Sequence, residues 1–327
     1  MIARKTRLID PLASIVVPVF NEESMSVIFL QVIRPVLQEA GLRCEIIFVD
    51  DGSTDQTLTK LVELSKSDAL IHVISFSRNF GKEAALTAGI DFAHGDVVIP
   101  MDVDLQDPPE LIPQFMSKWR EGYDVVYGLR VSRSSDTVIK RQTAGLFYRF
   151  FNRVSEVQLP ENAGDFRLMD RSVVEVLKKL PERNRFMKGL FSWAGFSSIG
   201  VPYERQARQA DITKWNYWKL WNFALDGVVG FSTAPLRIWA YIGASVAILA
   251  FGYGSFIILR VLMLGSDVPG YASLMTAILF LGGIQLLSMG VLGEYLGRLF
   301  IEVKARPVYV IDRVYKNGCN VPKGVTD

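Results

Sequence analysis

Two uncharged stretches near the C-terminus constrain this chain more than any other feature. Ile238–Leu259 and Val268–Gly293 run for 22 and 26 residues without Asp, Glu, Lys, Arg or His. A hydrocarbon core of ~30 Å takes ~20 apolar residues of helix, and a helix is the single-segment structure that satisfies its own backbone polar groups in lipid. Two transmembrane helices are therefore expected, at about 238–260 and 270–294. The alternative is a buried core helix, but soluble cores seldom need two such helices in tandem.

The flanks orient the pair. Arg237 precedes the first stretch, and Arg298, Lys304, Arg306, Arg313 and Lys316 follow the second. The loop "RVLMLGSDVPGYAS" offers only Arg260, offset by Asp267. Basic residues favour the cytoplasmic side. A multi-pass protein of a bacterial inner membrane is expected, with the large N-terminal portion and both termini in the cytoplasm. The N-terminus "MIARKTRLIDPLASIVVPVF" has no apolar core separate from the strand it leads into, so no signal peptide is expected there.

Bulk charge points to no polyanionic partner. Lys and Arg total 36 against 34 acids, a net charge of +2, so nucleic acid is not an expected partner. The two cysteines, Cys44 and Cys319, match no metal spacing and are expected as free thiols.

In the N-terminal part, "ASIVVPVF", "CEIIFVD", "IHVISFS", "GDVVIPMD" and "YDVVYG" read as strands. Amphipathic stretches at Met25–Ala40, Gln56–Ser65 and Lys82–Ala93 lie between them. That alternation predicts an α/β domain with a mostly parallel, Rossmann-like sheet. Ligands of such sheets bind beyond the carboxyl ends of the strands. Polar residues follow each run: Asn21 and Glu22, Asp50 and Asp51, Arg78 and Lys82, Asp102 and Asp104, and Arg130. Each alone reads as a cap or turn; together at one edge they predict a site.

Neither G-x-G-x-x-G after the first strand nor G-x-x-x-x-G-K-[ST] is present. Phosphates must be held in another way, and a divalent cation on carboxylates is the expected means. The segment "PMDVDLQDPPE" supplies the ligand set. In extended chain Asp102, Asp104 and Gln106 share a side, whereas Asp107 before two prolines is expected to cap the next helix.

"VVPVFNEE", "VDDGSTD", "RNFGKEAALTAG", "DVDLQDPPE" and "GDFRLMDR" together resemble the polyprenyl-phosphate glycosyltransferases of glycosyltransferase family 2. The likeness is greatest to the bactoprenol (undecaprenyl-phosphate) glucosyltransferases of lipopolysaccharide O-antigen modification, with dolichol-phosphate mannose synthases as relatives. The resemblance implies a GT-A fold, a nucleotide-sugar donor such as UDP-glucose, Mg²⁺ or Mn²⁺, and a polyprenyl phosphate acceptor. It implies that Pro18, Phe20 and Glu22 line the nucleotide pocket and that Asp51 or Asp50 accepts the uracil N3–H. Asp102, Asp104 and Gln106 would form the metal environment. Arg130 would meet the diphosphate with help from Lys82, and Asp165 is the implied catalytic carboxylate. The acceptor phosphate requires cations, for which Arg183, Arg185, Lys188, Arg205 and Arg208 are the candidates. Ala210 departs from the family, standing where close relatives have glycine, which puts the geometry of that loop and any role for Lys214 in question.

The expected organisation is a cytoplasmic catalytic domain over 1–210, interfacial amphipathic helix over 211–235, the two spans within 236–301, and a cytoplasmic tail with a strand over 302–327. A second amphipathic stretch, "KRQTAGLFYRFFNRVSE", is also expected at the membrane surface. Gly293 and Gly297 form a small-x-x-x-small pair suited to helix association, including a homo-oligomer. Two readings compete with glucose transfer: transfer of another sugar such as mannose, and an inactive membrane adaptor. A processive synthase is disfavoured, because the chain has no Arg-Trp dipeptide and two spans only.

Overall fold

The computed structural model describes residues 7–132, 149, 151–153, 155, 157–160, 163–183, 185–204, 229–230, 232–264 and 270–321. The five apolar runs form β1 (Leu12–Val19), β2 (Arg43–Asp50), β3 (Ile71–Phe76), β4 (Val97–Pro100) and β5 (Val125–Ser132). Helices α1 (Met25–Glu39), α2 (Thr57–Ser67) and α3 (Lys82–Phe92) connect the first four strands. Each helix end falls within two residues of the position expected from the pattern. A 3-10 turn at Pro109–Leu111 leads into α4 (Ile112–Arg120). Then follow β6 (Ala163–Asp170), α5 (Arg171–Lys179), α6 (Met187–Trp193) and β7 (Ser198–Glu204). The chain continues with α7 (Ala234–Leu264), α8 (Tyr271–Lys304), β8 (Ile311–Lys316) and β9 (Cys319–Val321).

All nine strands join one sheet in the order β7-β5-β6-β4-β1-β2-β3-β8-β9. The centre is parallel: β4, β1, β2 and β3 run the same way. Strand β6 is antiparallel to both β4 and β5, β7 is parallel to β5, and β8 is antiparallel to β3. One edge of the sheet therefore gathers the carboxyl ends of β1–β5 and β7 together with the starts of β6 and β8. Strand β1 is buried on both faces, as its uninterrupted apolar run requires. On one face Ile15 and Val17 pack with Phe29, Ile33 and Phe115. On the other, Val16 packs with Ala85, Ala88 and Val173.

Helices α7 and α8, of 31 and 34 residues, outrun the uncharged stretches that predicted them. In α8 the helix continues through a Glu294–Arg298 pair (2.9 Å) to Lys304, since i,i+4 charges support helix beyond the apolar zone. Both are long and apolar enough to cross a membrane, with their large side chains turned outward: Phe251 is 78 % exposed and Leu286 72 %. The tail then returns to its own sheet. Asn317 and Gly318, both at positive φ (52° and 69°), turn β8 into β9 as a two-residue hairpin. Tyr309 stacks on Phe76 at 5.2 Å and donates to Asp91 (2.8 Å). Cys44 and Cys319 are both free.

Most of the two segments expected at the membrane surface lies outside the described residues. Within "KRQTAGLFYRFFNRVSE", Phe151 is fully buried beside Phe186 (6.2 Å), so this ring serves the core.

Candidate active site

Lys82 opens α3, which is entered through Gly81 at φ 99°. Its ammonium lies 2.7 Å from Asp102 Oδ1 and 2.9 Å from Asp165 Oδ2. Asp102 follows β4 and Asp165 lies at the start of β6. These two carboxylates meet because β6 runs against β4, bringing its beginning to the edge where β4 ends. Like charges so close need a cation between them, and Lys82 provides it. The two carboxylates hold the ammonium above its ordinary pKa against the opposing effect of burial. Burial would raise the Asp165 carboxyl, but Lys82 and Lys188 hold it well below the usual carboxylate range. Asp165 Oδ1 is buried with no hydrogen-bond partner among the described residues.

Beneath this cluster Arg167 is buried, donating from Nη2 to the Gly164 carbonyl (2.7 Å) and lying 4.0 Å over the Phe191 ring. Burial pushes its guanidinium down to about 10. Glu83, next to Lys82, accepts the Met187 N–H (3.1 Å) at the start of α6. Burial first, and then the Asp165 charge, pushes its carboxyl up to about 7.

From Met101 to Asp107 burial alternates along the chain. Asp102, Asp104 and Gln106 are half-buried, while Met101, Val103, Leu105 and Asp107 are buried. The alternation of burial arises without extended chain, because Val103 and Asp104 form a turn. Leu105 has φ 53°, a costly conformation for a side chain with a Cβ, and it turns the backbone where Asp104 Oδ1 accepts the Gln106 N–H (3.2 Å).

Arg130 faces the same edge. Its Nε donates to the Tyr203 hydroxyl (3.0 Å), its Nη2 lies 3.5 Å from Asp107, and Tyr203 donates to Asp107. Burial works against the Arg130 charge, but Asp107 and Tyr203 outweigh it and raise its pKa. A Cβ on Gly164 would stand 3.0 Å from Arg130 Nη2, so glycine lets the guanidinium lie against the start of β6.

On the other side, the ends of β1 and β2 are tied together. Asn21 Oδ1 accepts the Thr54 N–H (2.9 Å), and the Glu22 N–H donates to Thr57 Oγ1 (2.9 Å). Asp51 accepts the N–H groups of Phe80 (2.7 Å) and Gly81 (2.9 Å), fixing the loop that delivers Lys82. Gly52 (φ 68°) is packed so closely that a Cβ would lie 2.5 Å from the Arg78 carbonyl carbon. Asp50 accepts from the Ser53 N–H (3.3 Å) and the Ser75 hydroxyl (3.4 Å). Burial raises the pKa of both aspartates.

Known proteins with these features decide the family. The Glycosyl transferase family 2 model matches residues 14–178, and the GtrB C-terminal hairpin model matches residues 234–299. An uncharacterized glycosyltransferase of Synechocystis is 54 % identical over 92 % of this chain and 95 % of its own length. The SfII prophage-derived bactoprenol glucosyl transferase of Shigella flexneri is 52 % identical, covering 93 % of this chain and 98 % of itself. The prophage bactoprenol glucosyl transferase homolog of Escherichia coli is 53 % identical, at 93 % and 99 %. The chain is a family 2 glycosyltransferase.

Its sheet is of the GT-A kind. Among solved structures, a mannosyltransferase from Pyrobaculum calidifontis in complex with GDP-Man and Mn²⁺ aligns over 92 % of this chain and 89 % of its own (TM-score 0.46, 14 % identity). Glucosyl-3-phosphoglycerate synthase from Mycobacterium tuberculosis, with Mn²⁺ and UDP, aligns over 67 % and 78 % (TM-score 0.44, 18 % identity).

In this glycosyltransferase the expected site residues divide into four groups. Lys82, Asp102, Asp165 and Lys188 come together, with Asp104, Gln106 and Arg130 along the same edge. Pro18 is buried inside β1, whereas Phe20 is 38 % exposed at its end. The proposed phosphate-binding cations separate: Arg185 donates to the carbonyls of Leu180 (2.8 Å) and Leu177 (3.4 Å) at the end of α5, and Arg183 lies beside α8. Arg205, Arg208, Ala210 and Lys214 lie outside the described residues.

Two expectations are corrected. Asp107 caps no helix; its carboxylate turns inward to Tyr203 and Arg130, and no side chain caps the Pro109–Leu111 turn. Arg130 does not follow the fifth strand but lies within it, because pairing with β7 carries β5 on to Ser132. Glu83, Gly164 and Tyr203 join the site without having been expected from the sequence. Glu83 and Gly164 stand inside the motifs quoted above, next to Lys82 and Asp165. Tyr203 has no local signal, since only strand pairing brings it to Arg130.

Proposed function

We propose that this enzyme transfers a hexose, most simply glucose from UDP-glucose, to a polyprenyl (undecaprenyl) phosphate at the cytoplasmic face of a bacterial inner membrane, with inversion and with a divalent metal. The observation that carries the reading is the Asp102–Lys82–Asp165 cluster at the sheet's carboxyl edge, with Asp104, Arg130 and Lys188 around it. The bactoprenol glucosyl transferases among its relatives support the acceptor class and the sugar. Helices α7 and α8 would place the acceptor phosphate at the level of this edge.

A metal fits the residues present. Asp102, Asp104 and Gln106 are half-buried hard oxygen donors close together in the chain, and the Lys82 ammonium against Asp102 is consistent with a pocket that favours positive charge. With two carboxylates and an amide, the donor set suits an ion that takes its other ligands from diphosphate and water. When bound, Mg²⁺ or Mn²⁺ would supply charge neutralisation for the diphosphate.

The step itself is a displacement. A phosphate oxygen of the acceptor attacks the anomeric carbon, the bond from that carbon to the nucleoside diphosphate breaks, and the electron pair leaves with the diphosphate. Arg130, braced by Asp107 and Tyr203, is placed to stabilise that charge. Lys188 and Lys82 lower the repulsion between the two anionic substrates. The phosphate monoester has its second pKa near ~6 and is largely deprotonated at neutral pH. Asp165, held ionised by its lysines, therefore need not remove a proton. It positions Lys82, while its Oδ1 stays buried without a hydrogen-bond partner among the described residues. Phe20, Glu22 and the Asp50–Asp51 pair would receive the nucleotide, Asp51 using a lone pair beyond the two taken by backbone N–H groups.

The test is radiolabel transfer from UDP-glucose to undecaprenyl phosphate in membranes, with metal, with EDTA and with Asp104→Ala. Metal-dependent labelled lipid that the substitution abolishes supports the reading. Label that appears only with GDP-mannose keeps the mechanism and replaces the sugar. No product from any nucleotide sugar in a folded, membrane-inserted sample defeats it.

A further inference from the structure

A cavity of about 570 Å³ opens where the cytoplasmic domain meets the end of α8, away from the Lys82 cluster. Three separate segments build it: the loop after β3 with Arg78 and Phe80, Arg183 before α6, and the end of α8 with Phe300, Lys304 and Arg306 beyond it. Four of those six side chains are cationic. Among the described residues, no carboxylate pairs with the side-chain charge of any of the four. Glu302 accepts the backbone N–H of Arg183 (2.9 Å) and so joins α8 to the domain, while the Asp51 carboxylate lies near enough to feel the Arg78 charge.

Two of the cations are held in place by rings. The Lys304 ammonium lies 3.9 Å over Phe300, and the Arg78 guanidinium 4.0 Å over Phe80. The cavity therefore offers fixed positive charge at its rim and apolar surface beside it. It lies beyond the Glu294–Arg298 pair, in the charged last turns of α8, where basic residues follow the apolar stretch.

We infer that this cavity binds the phosphodiester headgroup of an anionic membrane glycerophospholipid, distinct from the acceptor that is glycosylated. A diester carries one negative charge and keeps its acyl chains in the bilayer, matching a few juxtamembrane cations above an apolar wall. Such a lipid would clamp the loop that carries Arg78 and Phe80 to α8. Since Phe80 donates its N–H to Asp51, the clamp reaches the nucleotide side of the site. The inference requires that α7 and α8 span the bilayer, but no particular donor or sugar.

The test uses the full-length protein in neutral detergent micelles with tail-labelled phosphatidylglycerol, and a Lys304→Gln/Arg306→Gln variant whose transferase activity and sedimentation match the parent. Saturable binding of phosphatidylglycerol, weakened on the order of tenfold or more in the variant and absent for phosphatidylcholine, is expected. Equal binding of phosphatidylcholine, or unchanged binding by the variant, overturns it. Displacement by stoichiometric undecaprenyl phosphate would assign the cavity to the acceptor. Displacement by millimolar inorganic phosphate would make it a free-anion site. Either of these also overturns the proposal.

Discussion

The carboxyl edge of the sheet and the helix pair α7–α8 are built on opposite terms. At the edge, charges are half-buried and each is answered by a partner distant in sequence: Lys82 by Asp102 and Asp165, Arg130 by Asp107 and Tyr203. In the helices the described polar contacts gather near the end of α8, as in Glu294–Arg298 and Tyr295 to the Ser232 carbonyl, while large apolar groups such as Phe251 and Leu286 face outward. The edge depends on position to a fraction of an ångström; the helices depend on composition. Substitutions should therefore be costly at the edge and tolerated in the helices.

The largest effect is expected from Asp104→Ala, which should lower transfer by ~10²–10³-fold or more, on the scale seen when a group stabilising transition-state charge is removed. Circular dichroism of the purified variant should stay unchanged; a collapse of fold would instead make Asp104 structural. Tyr203→Phe comes next. It strips a donor from the buried Asp107 and a brace from Arg130, at a cost of about 1–3 kcal/mol in stability. Activity should fall with it, and a variant with full stability would show that the hydroxyl contributes nothing.

Gly164→Ala tests the close approach directly. A Cβ 3.0 Å from Arg130 Nη2 should displace the guanidinium and reduce kcat/KM by roughly tenfold, with little change in melting temperature. An unaltered kcat/KM would remove Arg130 from the site.

Glu83 gives a pH signature. Its folded pKa, about 7, lies above its unfolded value, so the folded state binds the extra proton between them. Stability from this group is present at low pH and declines as pH rises from ~4.5 to ~7. Glu83→Gln should flatten that decline by on the order of 1–3 kcal/mol in the difference between parent and variant. A parallel pair of stability profiles would refute the burial argument.

The smallest effect belongs to the helices: Leu249→Ala, 72 % exposed in α7, should change neither insertion nor activity measurably. Ile15→Ala in the sheet core should cost ~2–5 kcal/mol by comparison.

The same contrast separates what the amino-acid sequence makes legible from what it hides. Strands β1–β5 and helices α1–α3 are legible because alternation and apolar runs are local and periodic. The alternating burial of Met101–Asp107 is foreshadowed by the alternation of polar and apolar residues, but the turn at Val103–Asp104 and the positive φ of Leu105 are not. Strand β6 does not announce itself as a strand, although its "GDFR" start carries a family resemblance. Asp107 reads as a cap because "DPPE" looks like a helix start, while the Tyr203 hydroxyl and the Arg130 guanidinium are the partners that draw it inward. The tail reads as a strand, and "NG" marks the hairpin, yet nothing in it names β3 as its neighbour.

By itself the sequence determined β1–β5, α1–α3, the two apolar helices and the family, because hydrophobic period, turn chemistry and motif spacing are properties of neighbours along the chain. The tertiary structure alone decided which charges meet. Strand order and direction bring Asp165 to Lys82, Tyr203 to Arg130 and the end of α8 to Arg183, and those pairings depend on contacts that no local period encodes.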